Sequence, residues 1–215
     1  MTQTKDIEEL NTRLSSSKPK DIIQEVSELW PNLAISFSGA EDVALIDMAS
    51  KLIDEPAIFT LDTGRLHAQT YEFIESVRKH YVLPIETLHP DPQHLSRLIQ
   101  NKGLFSFYED GHEECCSIRK VEPLRGKLAT VDAWITGQRC DQSPTRTEVP
   151  IIQVDSTFST SDHPIVKINP LANWSSEDVW NYIRMFDVPY NQLHDAGFIS
   201  IGCEPCSRPV GPNQH

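Results

Sequence analysis

Three times between residues 33 and 101 a short apolar run gives way to a small polar turn and then to a longer stretch with helical spacing. Leu33-Ala34-Ile35-Ser36-Phe37 leads through Ser38-Gly39-Ala40-Glu41-Asp42 into a largely apolar helix reaching Leu52. Ala57-Ile58-Phe59-Thr60-Leu61 leads through Asp62-Thr63-Gly64 into a helix from about Leu66 to Tyr81, and Ile85-Glu86-Thr87-Leu88 precedes a helix around His94 to Asn101. Parallel strands need crossover connections of this kind, so the alternation predicts an α/β chain: an open, mostly parallel sheet with helices on both faces. Shorter strands are expected at Ala133-Trp134-Ile135-Thr136, Pro150 to Val154 and Ile165 to Ile168. Upstream, Leu10 and Leu14 and then Ile22, Ile23, Val26 and Leu29 recur at helical intervals, so residues 1–30 are expected to form a helical layer on one domain spanning 1–215. Downstream, Ser175 with Asp178 makes a capping box for a helix to Phe186 that turns Val179, Ile183 and Phe186 inward.

With 215 residues and 39% hydrophobic content the chain can bury one core. No apolar run approaches the ~20 residues of a membrane span, and the N-terminus lacks a basic stretch followed by an apolar core. A cytoplasmic location without membrane attachment is the expectation. A net charge of -12 argues against nucleic acid as a partner, because phosphate neutralisation needs a basic surface. An anionic ligand then needs a local patch, and residues 119–146 offer Arg119, Lys120, Arg125, Lys127, Arg139 and Arg146 against Glu122, Asp132 and Asp141. That stretch is expected to face the anion.

In sheets of this type ligands sit beyond the carboxyl ends of the strands. Ser38-Gly39-Ala40 suits a phosphate cradle: Gly39 takes dihedrals closed to other residues, Ser38 offers a hydroxyl, and Asp42 can orient the loop or a bound nucleotide. Taken alone, the segment reads equally as an ordinary strand-to-helix turn. The Asp62-Thr63-Gly64 turn at the next strand end favours a shared pocket edge.

The five cysteines are an adjacent pair, Cys115-Cys116, a lone Cys140, and Cys203 and Cys206 in a Cys-x-x-Cys. This is not the dense framework of a small secreted protein, which leaves metal binding or redox chemistry. Four thiolates can hold an iron-sulfur cluster. Structural zinc prefers two spaced knuckles, which an adjacent pair fits poorly. A redox disulfide or inert buried thiols stay open beside both. Lys120 follows Cys116 by one helical turn, where its ammonium can sit over the thiolates, or it is simply a surface lysine.

These segments together resemble the sulfonucleotide (PAPS/APS) reductase family, and within it the assimilatory adenylyl-sulfate (APS) reductases that carry a cluster. Ser38-Gly39-Ala40-Glu41-Asp42-Val43 is similar to the family's modified pyrophosphate loop, and Leu61-Asp62-Thr63-Gly64-Arg65 to its second nucleotide loop. Cys115-Cys116 with Arg119-Lys120-Val121 resembles the first cysteine block. Trp134 to Arg139, with Asp141-Gln142-Ser143-Pro144 and Arg146, resembles the substrate loop, and Gly202-Cys203-Glu204-Pro205-Cys206 the closing block. Both cysteine pairs are typical of the enzymes that use APS.

The resemblance implies an adenine nucleotide alpha hydrolase-like (pyrophosphate-loop) fold and a 4Fe-4S cluster, one per chain, on Cys115, Cys116, Cys203 and Cys206. It implies reduction of APS to sulfite and AMP through a cysteine S-sulfonate, with thioredoxin as electron donor, and leaves a homo-oligomer open. Ser38, Gly39, Asp42, Leu61 and Gly137 would hold the adenosine part, and His112, Lys120, Arg139 and Arg146 would meet the phosphosulfate, with Lys120 supporting catalysis. The attacking cysteine of the family lies in a Glu-Cys-Gly motif downstream of a segment like Pro212-Asn213-Gln214-His215, so it is expected beyond His215. Cys140 stands where the family usually has a basic residue and is read as a neutral filler. Two rivals remain: an ATP-using adenylating enzyme or tRNA thiolase of the same fold, from whose Ser-Gly-Gly-x-Asp-Ser loop Ala40 and Val43 depart, and a non-catalytic iron-sulfur nucleotide-binding module.

Overall fold

The computed structural model describes residues 4–109, 111–142 and 148–210. Six strands form one sheet in the order β3-β2-β1-β4-β6-β5: β1 Leu33–Phe37, β2 Ala57–Leu61, β3 Ile85–Leu88, β4 Ala133–Ile135, β5 Ile152–Val154 and β6 Val166–Ile168. All neighbours pair in parallel except β5, which runs antiparallel to β6 at one edge. The expected open, mostly parallel α/β sheet is thus the observed one.

Strand side chains alternate between faces, and the alternation divides the core in two. On one face Ile35, Phe37, Ile58 and Ile135 meet five helices: α1 Thr4–Leu14, α2 Pro19–Leu29, α3 Ala40–Ala49, α4 Ala68–Tyr81 and α8 Ser176–Phe186. On the other face Ala34, Phe59 and Trp134 form a smaller core with Leu128 of α7 Glu122–Leu128. The remaining helices are α5 Pro92–Lys102 and α6 Glu113–Cys116, the latter running into a π-helical turn, Ser117–Val121. No helix among the described residues is long and apolar enough to cross a membrane.

Several expected boundaries shift, each for a local reason. The helix expected from Leu66 starts at Ala68, because Leu66 is drawn into an antiparallel bridge with Cys203 and His67 takes the N-cap. Helix α3 begins at Ala40, three residues earlier than the turn Ser38 to Asp42 suggested, and ends at Ala49 rather than Leu52. The α8 capping box is present, the Ser175 hydroxyl donating to Asp178 at 2.7 Å and accepting from the Asp178 N–H at 3.1 Å. Val179 and Ile183 are buried as expected, but Phe186 is 44% exposed, and Tyr182 fills the inward position instead. The Phe186 ring lies beneath the ammonium groups of Lys20 and Lys51 at 5.5 and 5.2 Å, an outward setting that suits an amphipathic contact. Leu29, read as part of the inward α2 stripe, is 50% exposed at the end of its helix.

Candidate functional site

The strand order reverses between β1 and β4, and the crevice at this switch point is where open α/β sheets hold ligands. The β1 loop delivers Ser38 and Gly39, and the β4 loop delivers Thr136 and Gly137. Asp42, 6% exposed, joins them. One carboxylate oxygen accepts from the Ser38 N–H at 2.7 Å, the Ser38 hydroxyl at 2.8 Å and the Gly39 N–H at 2.9 Å. The other accepts from the Gly137 N–H at 2.9 Å. Burial pushes this carboxyl up to about 6, with the neighbouring Glu41 charge adding and the Ser38 and Gly39 donors opposing. Gly137 is required by packing: a Cβ there would sit 2.5 Å from the Asp42 Oδ1 and 2.8 Å from the Glu41 Cβ.

A second tie spans the same loops. The Arg139 guanidinium, 4% exposed, donates to Glu41 at 2.8 Å and to Asp141 at 3.3 Å. Gln142 also donates to Glu41 and to the Gly137 carbonyl. Burial raises the Glu41 carboxyl, but the Arg139 hydrogen bond and charge outweigh it and hold the group below its ordinary range. Arg139 was expected to meet an anion; in this structure its charge is already matched by carboxylates of its own chain.

Leu61 ends β2, and Asp62 and Gly64 close the turn after it, the Gly64 N–H donating to Asp62 at 2.8 Å. Gly64 has φ of 71°, a left-handed conformation that favours glycine. Thr63, 1% exposed, points away from solvent, its hydroxyl 3.2 Å from the Cys203 Sγ. The closing block is stitched to this turn: Leu66 bridges Cys203, and the Glu204 N–H donates to the Arg65 carbonyl at 2.8 Å. The turn after β2 and the last two cysteines therefore share one piece of structure.

All four paired cysteines line one pocket with Arg65, Phe107, His112, Arg119, Lys120 and Pro205. Cys115 and Cys116 come from α6, and Cys203 and Cys206 flank the turn Glu204–Cys206. The Cys206 thiol is raised by partial burial and then by Cys203, Cys116 and Cys115, while Lys120 opposes, so all five groups lie within electrostatic reach. Lys120 reaches the pocket from the π-helical turn, not from the α-helical turn its spacing predicts; the Glu122 N–H bonds back to the Ser117 carbonyl, the wide i→i+5 pattern. Among the described residues no three His, Cys, Asp or Glu side chains are arranged to hold a metal ion. The four thiols nonetheless share one pocket.

His112 lies against the cysteines, its Nδ1 3.8 Å from the Cys206 Sγ, rather than against the nucleotide loops. Cys140 sits in the turn Cys140–Gln142, its N–H bonded to the Ala172 carbonyl at 3.0 Å. Arg146, Ser143-Pro144 and Pro212 to His215 lie outside the described residues.

The basic stretch does not act as one patch. Arg119 is buried against Thr63, Lys120 faces the cysteines, Arg125 covers the Phe158 ring at 5.4 Å, Lys127 pairs with Glu86 at 2.6 Å, and Arg139 is taken by Glu41. Helical rotation scatters charges that look contiguous in sequence. Residue reading also passed over what Thr63 and Glu41 do, since neither periodicity nor spacing marks a hydroxyl aimed at a distant sulfur or a carboxylate paired across the sheet.

A family model described as the phosphoadenosine phosphosulfate reductase domain matches residues 32–209. The chain is 56% identical to an adenosine 5'-phosphosulfate reductase of Pseudomonas aeruginosa, covering 100% of this chain and 81% of that protein. It is 52% identical to the chloroplastic 5'-adenylylsulfate reductase 3 of Arabidopsis thaliana, of which it spans 48%. Among solved structures it is similar to the phosphoadenylyl-sulfate (PAPS) reductase of Candida auris in phosphate complex, with a TM-score of 0.81 at 28% identity over 96% of this chain and 98% of that one. A Candida glabrata FMN adenylyltransferase shares the fold alone, with a TM-score of 0.64 at 15% identity over 100% of this chain and 73% of that one.

Proposed function

The chain belongs to the phosphoadenosine phosphosulfate reductase domain family, and from that premise we propose that it reduces adenylyl sulfate to sulfite and AMP in sulfate assimilation. The observation that carries this reading is the convergence of Cys115, Cys116, Cys203 and Cys206 with Lys120 in one pocket, tied through Thr63 to a nucleotide turn. The names of the relatives support APS as the nucleotide.

In this reading the adenosine part lies in the crevice between Ser38-Gly39 and Gly137, beside Leu61. Asp42 holds the walls of that crevice in place, since its oxygens already accept four donors. Lys120 and Arg146 supply positive charge to the phosphosulfate, and His112 stands at the edge of the cysteine pocket. A cysteine outside the four pocket thiols attacks the sulfate sulfur as a thiolate. The bond from sulfur to the bridging phosphate oxygen breaks, AMP leaves with the electron pair, and the sulfur stays on the enzyme as an S-sulfonate. Thioredoxin then attacks the enzyme Sγ, sulfite departs, and the two electrons come from the thioredoxin dithiol. Cations in a partly desolvated pocket favour the charge that develops on the departing oxygens.

The four cysteines fit a 4Fe-4S cluster in donor chemistry: they are sulfur donors alone and they line one pocket. When bound, such a cluster supplies a fixed, delocalised charge beside the substrate.

Nucleotide titration of residues 1–215 tests the substrate. Tighter binding of AMP and APS than of ATP is expected, and a preference for ATP defeats the proposal. Anaerobic purification tests the cofactor: brown protein with about four iron and four sulfide per chain is expected. Colourless protein with stoichiometric zinc would remove it.

A further inference from the structure

A guanidinium is charged at every physiological pH, and its burial is unfavourable unless a counter-charge accompanies it. Two arginines are deeply buried among the described residues, Arg119 and Arg139, each 4% exposed. Arg139 has Glu41 and Asp141. Arg119 has no carboxylate: among the described residues it forms no ion pair, and its Nε is buried without a hydrogen-bond partner. Its Nη1 donates to the Thr63 carbonyl at 2.6 Å. What it does line is the cysteine pocket, whose wall contains Arg65, Arg119 and Lys120, four thiols and no acidic side chain. The Arg65 charge is partly spent on aromatic faces, its guanidinium 4.6 Å from the Phe107 ring centroid and 5.7 Å from that of Phe105. Arg119 has no such outlet.

A pocket with cations and thiols but no carboxylate is balanced only when the sulfurs carry the negative charge. We infer that Arg119 is the fixed counter-charge of the four-thiolate site and, through Thr63, the strut that holds that site against the nucleotide turn. The inference rests on the cofactor reading above and goes beyond it in assigning a positioning residue. Arg119 precedes Lys120, but the two divide the work. The buried guanidinium matches charge from within the wall, and the ammonium projects into the pocket.

The test compares Arg119→Lys and Arg119→Met in the full chain, purified anaerobically, by iron and sulfide content, visible absorption and midpoint potential, with circular dichroism to follow the fold. The Met variant is expected to lose at least half of the bound iron and sulfide, and its remaining cluster to shift to lower potential, because a nearby positive charge stabilises the added electron. The Lys variant, which keeps the charge, is expected to keep most of both. A Met variant with wild-type iron, sulfide and potential overturns the inference. So does a folded Lys variant that loses as much as Met, since shape rather than charge would then be at stake. If the Met variant does not fold, retention or loss in the Lys variant decides. Wild-type protein without iron and sulfide overturns this inference together with the cofactor reading, whereas loaded wild type with an indifferent Met variant overturns this inference alone.

Discussion

Asp42 serves stability and site geometry in opposite directions. Its folded-state pKa is raised from 3.8 to about 6, so folding favours the protonated form. That contribution is whole below about pH 4 and is lost as pH rises through about 6, a change of about 3 kcal/mol by linkage. Asp42→Asn cannot ionise, so urea denaturation across this window is expected to show the wild type losing stability relative to the variant as pH rises. The ionised carboxylate is nonetheless the form that accepts from all four loop donors, so AMP affinity is expected to rise over the window in which stability falls. Gly137→Ala places a methyl 2.5 Å from the same carboxylate, and isothermal titration should show AMP affinity down at least tenfold, roughly 1.4 kcal/mol. Glu41→Gln leaves Arg139 without its closest carboxylate partner. Removing this negative charge uncovers Arg139 at the crevice and is expected to strengthen a 3',5'-bisphosphate nucleotide more than AMP, which competitive titration checks.

At the scale of elements, the most legible features were those with local causes. The α8 capping box was written in Ser175 and Asp178 and is present, so Ser175→Ala is expected to cost about 1 kcal/mol in thermal or urea unfolding without altering nucleotide binding. The three leading strands were equally plain, because buried parallel strands are short apolar runs followed by small-residue turns. What did not show was anything set by tertiary contact. Leu66 looked helical and became a bridge partner of Cys203; Phe186 looked inward and lies under two lysines. The π-helical turn after Cys116 was invisible because no residue in Ser117–Val121 marks an i→i+5 bond in sequence. At the site, the motif residues could be listed by resemblance, but their division of labour could not. That Arg139 pairs with Glu41, or that Thr63 faces a sulfur far along the chain, follows from the sheet order that juxtaposes the loops.

Across the whole molecule, the turn Asp62-Thr63-Gly64 after β2 reaches Arg119 through the Thr63 carbonyl and Cys203 through the Thr63 hydroxyl, so it is part of the cysteine pocket's frame. Cys203→Ala is therefore expected to do more than abolish iron and sulfide binding: amide exchange at residues 63–66 should accelerate, as the Leu66 bridge and the Glu204 bond to Arg65 loosen, while exchange in the central strands stays slow. The same stitching sets an order of manufacture. Every strand of the sheet is synthesised before residue 203, so a growing chain can close its α/β body while holding only Cys115 and Cys116 of the quartet. On the proposed cofactor reading, iron that arrives early meets half a site, and completion of the four-cysteine pocket is a late event of synthesis that follows every strand of the sheet.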